Sequence, residues 1–472
     1  MSTWDVLVIG AGAVGENVAG QVVAGGLSAV IVESELVGGE CSYWACMPSK
    51  ALLRSGAVRR AAAHVRGSGV HQAEAPPVVD RSEVLARRNT FTSGWDDAGQ
   101  VTWLENTGID LVRGRGRLTG ERTVEVTTTD GTVQLEARHA VVICTGSDAA
   151  VPAALAPAAP WTSREATSAE EIPERLAIVG GGVVGVEMAT AYRDLGAAVT
   201  LLVRGRVLPG AEPFAGDLVA GTLRETGVDV RTGVSVTEAV RDAVTGTVRL
   251  SCDDGQVVVA DEVLAATGRR PRTDDIGLSV VGRSDGEWLD VDDTMRVSGS
   301  GWLYAVGDVN HRALLTHQGK YQARAAGDAI VARAHGQGVA DHAWGAHAAT
   351  ADHEAVPQVA FSDPEVASVG LTAAAAEDAG YPVRVVDYEL GSVAGAALHA
   401  DGYTGTARMV VDTERQVILG VTFAGPDVAE LLHAATIAVV GQVPIDRLWH
   451  AVPSYPTISE VWLRLLETYG RP

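Results

Sequence analysis

Cys41 and Cys46 are separated by four residues in the stretch Gly38-Gly39-Glu40-Cys41-Ser42-Tyr43-Trp44-Ala45-Cys46-Met47-Pro48-Ser49-Lys50. An apolar run with helical character, Ala51-Leu52-Leu53, follows directly. Pro48 suits the first turn of a helix and Ser49 is compatible with it, so the spacing predicts a helix starting near Cys46. A thiol there lies near the positive end of the helix dipole, which favours the thiolate. Two thiols at such short range can form and break a disulfide. The competing reading is half of a zinc site, but no second CxxC or nearby Cys/His pair completes it.

Such a pair needs elements that bring electrons to it. Asp5 to Ile9 is a short β-branched run that reads as a buried parallel strand. It leads into Gly10-Ala-Gly12-Ala-Val-Gly15, a helical stretch to about Ala24, and a second strand, Ala29 to Val32, ending in Glu33. Strand, three glycines, helix, strand and acid form a dinucleotide fingerprint in its proper context. Gly10 permits the tight turn. Gly12 lets the backbone approach a pyrophosphate at the helix start, and Gly15 lets helix and strand pack closely. Glu33 can accept hydrogen bonds from a ribose.

A second unit follows about 170 residues later. Leu176 to Val179 leads into Gly180-Gly181-Gly182-Val-Val-Gly185, then Val186-Glu187-Met188 opens a helix. The next strand, Ala198 to Val203, ends in Arg204 where the first unit has an acid. Arginine pairs with a 2′-phosphate, and Arg206 is close enough to help, so the exchange favours NADPH over NADH. The alternative is that Arg204 is a solvated surface charge. Two dinucleotide units of different specificity suggest one bound redox cofactor and one exchangeable hydride donor.

Bulk composition narrows the partners. A chain of 472 residues exceeds one small core and suggests two to four domains. The net charge of −22 argues against nucleic acid and anionic membrane. Four cysteines are too few for a disulfide scaffold, which points to a reducing cytoplasm. The N-terminus lacks a basic region, and its glycine-interrupted apolar run does not read as a signal peptide. No uninterrupted apolar run reaches the roughly 18 residues of a membrane span.

Elsewhere, residues 56–110 read as helix with a Gly/Pro interruption between about Gly67 and Pro77. Ile109 to Val133 reads as antiparallel strands. Ala140 to Cys144 is a buried strand in which Cys144 serves as a small hydrophobe. Trp302 to Gly307 is a strand ending in Asp308, and Thr316 to Arg333 is a helix. Residues 341–356 are irregular and mark a boundary. The last 115 residues combine strands (Pro382 to Tyr388, Ala407 to Val411, Val417 to Phe423) with helices (Val428 to Val440, Ser459 to Tyr469), an α+β pattern.

With these segments in order, nearly the whole chain resembles the flavin-dependent pyridine nucleotide–disulfide oxidoreductases, a family that includes dihydrolipoamide dehydrogenase, glutathione reductase and mercuric reductase. The resemblance rests on GAGAVG at 10–15, GGECSYWACMPSK at 38–50, CTGS at 144–147, GGGVVGVE at 180–187, ATGRRP at 266–271, YAVGD at 304–308, VPQVAFSDPEVASVG at 356–370 and YPTISE at 455–460. It implies an α/β chain with two Rossmann-like dinucleotide-binding domains and a C-terminal α+β dimerisation domain. The FAD-binding domain would cover residues 1–150 and resume over 273–345. The NAD(P)H-binding domain would cover 151–272, and the domain that forms a homodimer 346–472.

The resemblance also implies roles. Gly10, Gly12, Gly15 and Glu33 would hold the ADP half of FAD, and Asp308 would accept from its ribityl chain. Gly39, Thr145, Gly146 and Gly307 belong to the FAD motifs; Gly180, Gly182, Gly185 and Gly268 belong to the motifs around the nicotinamide nucleotide. Lys50 and Glu187 match a salt bridge beside the flavin, where a cation stabilises negative charge and the carboxylate fixes the lysine. Cys46 would face the flavin and Cys41 the substrate, with electrons running from NADPH through FAD to the Cys41–Cys46 disulfide and on to a small-molecule acceptor.

The chain departs from the family at its C-terminal motif. The disulfide-reducing members place a histidine before Pro-Thr, acting across the dimer as acid/base and oriented by the following glutamate. Here the position is Tyr455, with Glu460 retained. A phenol with a pKa of about 10 donates a proton but is a poor base at neutral pH. His450, five residues upstream, is off the family's register. The tail Leu466 to Pro472 carries no cysteine pair and no metal-binding extension precedes the first strand, which separates the chain from mercuric reductase. Tyr43 and Trp44, between the cysteines, either pack internally or stack on a planar substrate. Three readings follow: a disulfide reductase working through Cys41 and Cys46, an NAD(P)H:quinone-type reductase using flavin directly, or a slow-turnover redox-sensing flavoprotein.

Overall fold

The first β-branched run pairs on both sides. In the computed structural model, which describes residues 2–69 and 79–471, the strand Ser2–Ile9 lies between Ala29–Glu33 and Gly131–Ile143, parallel to both. Ile109–Arg113 extends the sheet beyond Ala29–Glu33, and Leu303–Ala305 pairs with Gly131–Ile143. Arg115–Gly120 and Thr123–Thr128 complete it as an antiparallel meander. The register is what matters for function. Ile9 pairs with Val32 and Ile143, and Ile143 with Ala305. Gly10, Glu33, Cys144 and Val306 therefore emerge at one edge, the carboxyl ends of the parallel strands, where α/β sheets bind ligands. Val6, Val8, Val18, Val22, Ile31 and Val142 form the core on one face of this sheet.

By its internal contacts the chain divides into two units. The first comprises residues 1–48, 89–149 and 269–353, and the second residues 49–88, 150–268 and 354–472. The second unit holds its own parallel sheet, in the order Asp229–Thr232, Ala198–Val203, Arg175–Val179, Glu262–Ala265. A three-stranded antiparallel sheet (Val236–Arg241, Val248–Cys252, Val257–Ala260) belongs to the same unit. So does a five-stranded antiparallel sheet ordered Gln358–Ala360, Glu365–Gly370, Val417–Gly425, Thr406–Asp412, Val383–Glu389. Among the described residues no helix is long and apolar enough to cross a membrane.

Several expectations need correction. Ile109–Arg113 is parallel to Ala29–Glu33, because the helix Ala98–Thr107 returns the chain as a crossover in place of a hairpin. Cys144 lies one residue beyond its strand, buried at the sheet's edge, where burial pushes its thiol up. Gln358–Ala360 and Glu365–Gly370, to which the sequence reading gave no element, are short antiparallel strands on either side of Asp363-Pro364. The helices near Val428 and Ser459 begin as 3₁₀ turns, Val428–Leu431 and Ile458–Glu460, before Leu432–Val440 and Val461–Tyr469. Of the Gly/Pro interruption expected from Gly67 to Pro77, residues 70–77 lie outside the described residues.

Candidate active site

The carboxyl edge of the first unit's sheet opens into a cavity of about 630 Å³. Its wall takes in Gly10, Gly12, Glu33, Gly39, Cys41, Thr145, Gly146, Gly307 and Asp308. The fingerprint glycines do different things there. Gly10 has φ +103°, and a Cβ on it would lie 2.5 Å from the Cys144 carbonyl oxygen. A Cβ on Gly15 would lie 2.0 Å from the Gly10 oxygen, so this glycine locks helix against strand. Gly12 differs: its φ of −65° suits any residue, and a Cβ there would meet nothing within 4 Å. Its bare backbone faces open space at the start of the helix Ala13–Ala24, where no side chain caps the first amides. Free amides and a positive dipole end suit a phosphate.

Glu33 is held in place by its own neighbourhood. Ala11 N–H donates to Oε2 at 2.6 Å and Glu35 N–H to Oε1 at 2.7 Å. Thr145 Oγ1 is buried with no hydrogen-bond partner among the described residues, at the wall of the same cavity. An orphaned hydroxyl, a Cβ-free cradle and a fixed acid fit an ADP-containing cofactor such as FAD. Asp308 Oδ2 accepts from Ser147 Oγ at 2.5 Å, and Arg269 Nε donates to the same Ser147 oxygen at 2.5 Å. Arg272 donates to Glu40 at 3.1 Å and pairs with Asp148. Arg269, Arg272 and Ser147 are wall residues beyond those assigned from sequence; Arg269 lies in ATGRRP and Ser147 in CTGS, while Arg272 lies just outside both. Gly268 belongs to the second unit, exposed, with its carbonyl accepting from Ala150 N–H.

The thiols meet at the end of this cavity. Cys41 lies in the one-turn helix Gly39–Tyr43, and Cys46 is the first residue of the helix Cys46–Ala63. Both are free, half-buried thiols. Cys41 is hydrogen-bonded to Cys46, and Cys46 Sγ is 3.3 Å from Thr316 Oγ1. The contact with Cys46 pushes the Cys41 thiol strongly up, burial adds to this, and Thr316 and Lys320 oppose it. Two interacting thiols lose their protons as a pair. The contact with Cys46 therefore holds the Cys41 proton more tightly than an isolated thiol would. Tyr43 is buried and its hydroxyl donates to the Asp96 carbonyl at 3.5 Å, so this ring packs internally. Among the described residues no group of three or more His, Cys, Asp and Glu side chains is placed to hold a metal ion.

In the second unit, Lys50 Nζ donates to Glu187 Oε2 at 2.7 Å. Glu187 Oε1 accepts from Phe361 N–H at 3.0 Å, and Lys50 lies 5.0 Å from the Phe361 ring centroid. The pair joined by the family resemblance is therefore a direct ion pair with its carboxylate buried and anchored twice. The second fingerprint repeats the first: a Cβ on Gly180 would lie 2.1 Å from the Ala266 oxygen, one on Gly185 would lie 1.9 Å from the Gly180 oxygen, and one on Gly182 would meet nothing. Arg204 is exposed just past its strand. Arg206 donates to the Pro209 and Ala211 carbonyls at 2.8 and 2.6 Å, which folds its guanidinium into the adjoining loop.

The C-terminal motif belongs to the second unit. Tyr455 is 76% exposed. Glu460 is buried, pairs with Arg464 on the last helix, and leaves Oε2 without a partner among the described residues. His450 is exposed.

The family model "Pyridine nucleotide-disulphide oxidoreductase" matches residues 4–336, and the model of that family's dimerisation domain matches residues 356–465. The chain is 33% identical to a dihydrolipoyl dehydrogenase of Thermus scotoductus, over 98% of this chain and 96% of that one. It is 31% identical to a dihydrolipoyl dehydrogenase of Haloferax volcanii, over 98% and 95%. Its fold matches the Cu(II) complex of the HOCl-induced flavoprotein disulfide reductase RclA of Escherichia coli, with a TM-score of 0.83, 22% identity and 99% of both chains covered.

Proposed function

The chain belongs to the pyridine nucleotide-disulphide oxidoreductase family, and from this membership we propose that it reduces a small disulfide or other thiol-reactive acceptor with NADPH, through Cys41 and Cys46, as a homodimer. It is a flavoprotein enzyme of an FAD-dependent, NAD(P)-using class. The observation that carries the proposal is Cys41 at the wall of the nucleotide cavity, in contact with Cys46 behind it. FAD, when bound, supplies two-electron chemistry between a nicotinamide and a disulfide.

The residues divide the work. Gly10, Gly12 and the amides behind them receive the pyrophosphate, Glu33 the adenine ribose, and Asp308, fixed by Ser147, the ribityl chain. Lys50 supplies a fixed positive charge where negative charge develops, and Glu187 keeps the ammonium in place. Cys46 serves the flavin side, and Cys41 exchanges with the acceptor. Tyr455 and Glu460 line the acceptor side across the dimer. Without a histidine there, exchange lacks a group whose loss typically costs about 10²–10⁴ in rate. Arg204, exposed beside the second fingerprint, supports NADPH as the donor.

A panel of acceptors (lipoamide, glutathione disulfide, other small disulfides, quinones, mercuric ion) assayed with both nicotinamides tests this. The expected result is NADPH-driven reduction of a disulfide or thiol-reactive compound that disappears in Cys46→Ser. Quinone reduction as the sole activity, retained in Cys46→Ser, overturns the proposal in favour of direct reduction by flavin. Arg204→Glu is expected to shift preference toward NADH, and an unchanged preference removes the argument for NADPH.

A further inference from the structure

Behind the Gly307–Asp308 turn, three side chains on one face of the helix Thr316–Ala334 hold the segment 348–352. Gln318 Nε2 donates to Asp352 Oδ1 and Gln322 Nε2 to Asp352 Oδ2, both at 2.9 Å. Tyr321 Oη donates to the Ala348 carbonyl at 3.2 Å. Gln322 reaches the other way with its oxygen. Its Oε1 accepts from Gly307 N–H and from Asn310 Nδ2, each at 2.8 Å. The same Asn310 nitrogen donates to the Ala305 carbonyl at 3.1 Å, and Asn310 Oδ1 accepts from Arg312 N–H at 3.0 Å. A Cβ on Gly319 would lie 3.3 Å from the Gly307 Cα, so bare backbone at that point lets the helix close on the turn. Asp352, Gln318, Gln322 and Asn310 are all buried, and all belong to the first unit.

The pattern of donors and acceptors fixes the orientation of each member. A backbone N–H can only donate, so the Gln322 atom facing Gly307 has to be its oxygen, and its NH₂ then faces Asp352. A carboxylate only accepts, so Asp352 takes one amide on each oxygen. A buried network whose members are satisfied is rigid, and one mismatched member leaves a buried polar group unpaired. The two arms of the carboxylate lead to different places. Gln322 leads through Gly307 to Asp308, and both of these line the cavity that fits FAD. Asp308 is held from its other side by Ser147 at 2.5 Å. The bond from Gln318 has the same length and does not run to that turn.

We propose that Asp352 and Gln322 are positioning residues for the flavin: Asp352 sets which way the Gln322 amide faces, and the Gln322 oxygen holds Gly307 N–H so that Asp308 is presented to the ribityl chain. This rests on the reading that the cavity holds FAD. Asp352 and Gln322 stand behind the cavity wall and act on the cofactor through Gly307. Their donor and acceptor roles can be exchanged. In Gln322→Glu the side chain keeps an acceptor for Gly307 but turns a second acceptor toward the Asp352 carboxylate. In Asp352→Asn an amide nitrogen has to face one of two NH₂ donors. In the double variant Gln322→Glu/Asp352→Asn, donor meets acceptor at every contact again. Gln318 Nε2 donates to the new amide oxygen, the new amide nitrogen donates to the new carboxylate, and Gly307 N–H donates to that carboxylate's other oxygen.

The test is the rate at which FAD leaves the holoenzyme after dilution, read from the fluorescence of the released flavin, with urea unfolding measured alongside. Gln322→Met and Gln322→Glu are expected to speed release about five- to tenfold, the equivalent of about one hydrogen bond to the turn. Gln318→Met removes a bond of the same length to the same carboxylate; it is expected to lower the urea midpoint and yet keep release within about twofold of wild type. The double variant is expected to bring release back to within about twofold of wild type. Release within about twofold of wild type in both Gln322 variants overturns the inference. So does equal acceleration by Gln318→Met, which makes the network a matter of stability and not of position. A double variant that stays as fast as Gln322→Glu overturns the role of Asp352. Failure of the functional reading shows separately: a wild-type protein that takes up no FAD removes that reading, and this inference with it, before any variant is compared.

Discussion

Replacing Glu187 by glutamine removes one charge from the second unit and leaves its shape nearly intact. The carboxylate is 4% exposed and serves two donors, Lys50 at 2.7 Å and Phe361 N–H at 3.0 Å. An amide can present its oxygen to only one of them, and turns its NH₂ toward the other donor. A hydrogen bond to a charged group contributes about 1.5–3 kcal/mol and a backbone one about 1 kcal/mol. The lysine side chain is 37% exposed and regains water, so the loss falls at the lower end, about 1–2 kcal/mol. The kinetic effect is larger, because a preorganised charge in a reaction site contributes roughly 10²–10³ in rate. Loosening Lys50 without removing it is expected to cost on the order of ten- to a hundredfold in the reductive half-reaction, a fraction of that range. Stopped-flow reduction of the flavin by NADPH, in a cycle of Glu187→Gln, Lys50→Gln and the double variant, measures it. The double variant should be no slower than Lys50→Gln alone. Fully additive losses would refute the reasoning, since they would mean that Glu187 acts independently of Lys50.

Two further perturbations separate fold from site and test one surface charge. Gly12→Ala is expected to fold with wild-type resistance to urea and to lose FAD, because its Cβ meets no protein atom but projects where a pyrophosphate would lie; Gly15→Ala, 2.0 Å from the Gly10 oxygen, is expected to cost about 3 kcal/mol or more and to accumulate insoluble. Flavin absorbance per chain, alongside urea unfolding, distinguishes the two. Asp5 is raised by burial but lowered further by the Ser28 amide and hydroxyl and by Arg138, to a net value of about 2. A depressed carboxyl contributes stability above its unfolded pKa of roughly 4 and loses it as pH falls toward 2, so the advantage of wild type over Asp5→Asn, reduced by solvent screening, is expected to be present at pH 6 and to vanish near pH 2. Urea unfolding at both pH values checks this.

The parts of the fold that were legible in the chain are those encoded over short stretches. Strand, glycines and helix lie within 20 residues at Asp5 to Ala24 and within 16 at Leu176 to Ala191, and both have the expected geometry. The start of the helix at Cys46 was legible for the same reason, since Pro48 and Ser49 mark it locally. What escaped was assembled from distant segments. Arg269 reaches Ser147, and Arg272 reaches Glu40. Thr316 approaches Cys46 from 270 residues away. No local pattern marks an arginine that will cross more than a hundred residues to a cavity. Ile109–Arg113 was assigned the wrong partner direction for a related reason: alternation fixes which face is buried and says nothing of whether a crossover or a hairpin precedes the strand. Lys50 and Glu187 were joined through the family resemblance alone, and the 2.7 Å contact gives that pairing a physical basis.

The central claim is that Cys41 and Cys46 take up the two electrons that NADPH delivers. Anaerobic titration of the oxidised holoenzyme with NADPH, with thiols alkylated at each point and mapped by mass spectrometry, tests it most directly. The account predicts that Cys41 and Cys46 become alkylatable together as the first equivalent is consumed, while Cys144 and Cys252, both buried, stay unchanged. Consumption of that equivalent with complete bleaching of the flavin and no new label on Cys41 or Cys46 would contradict it.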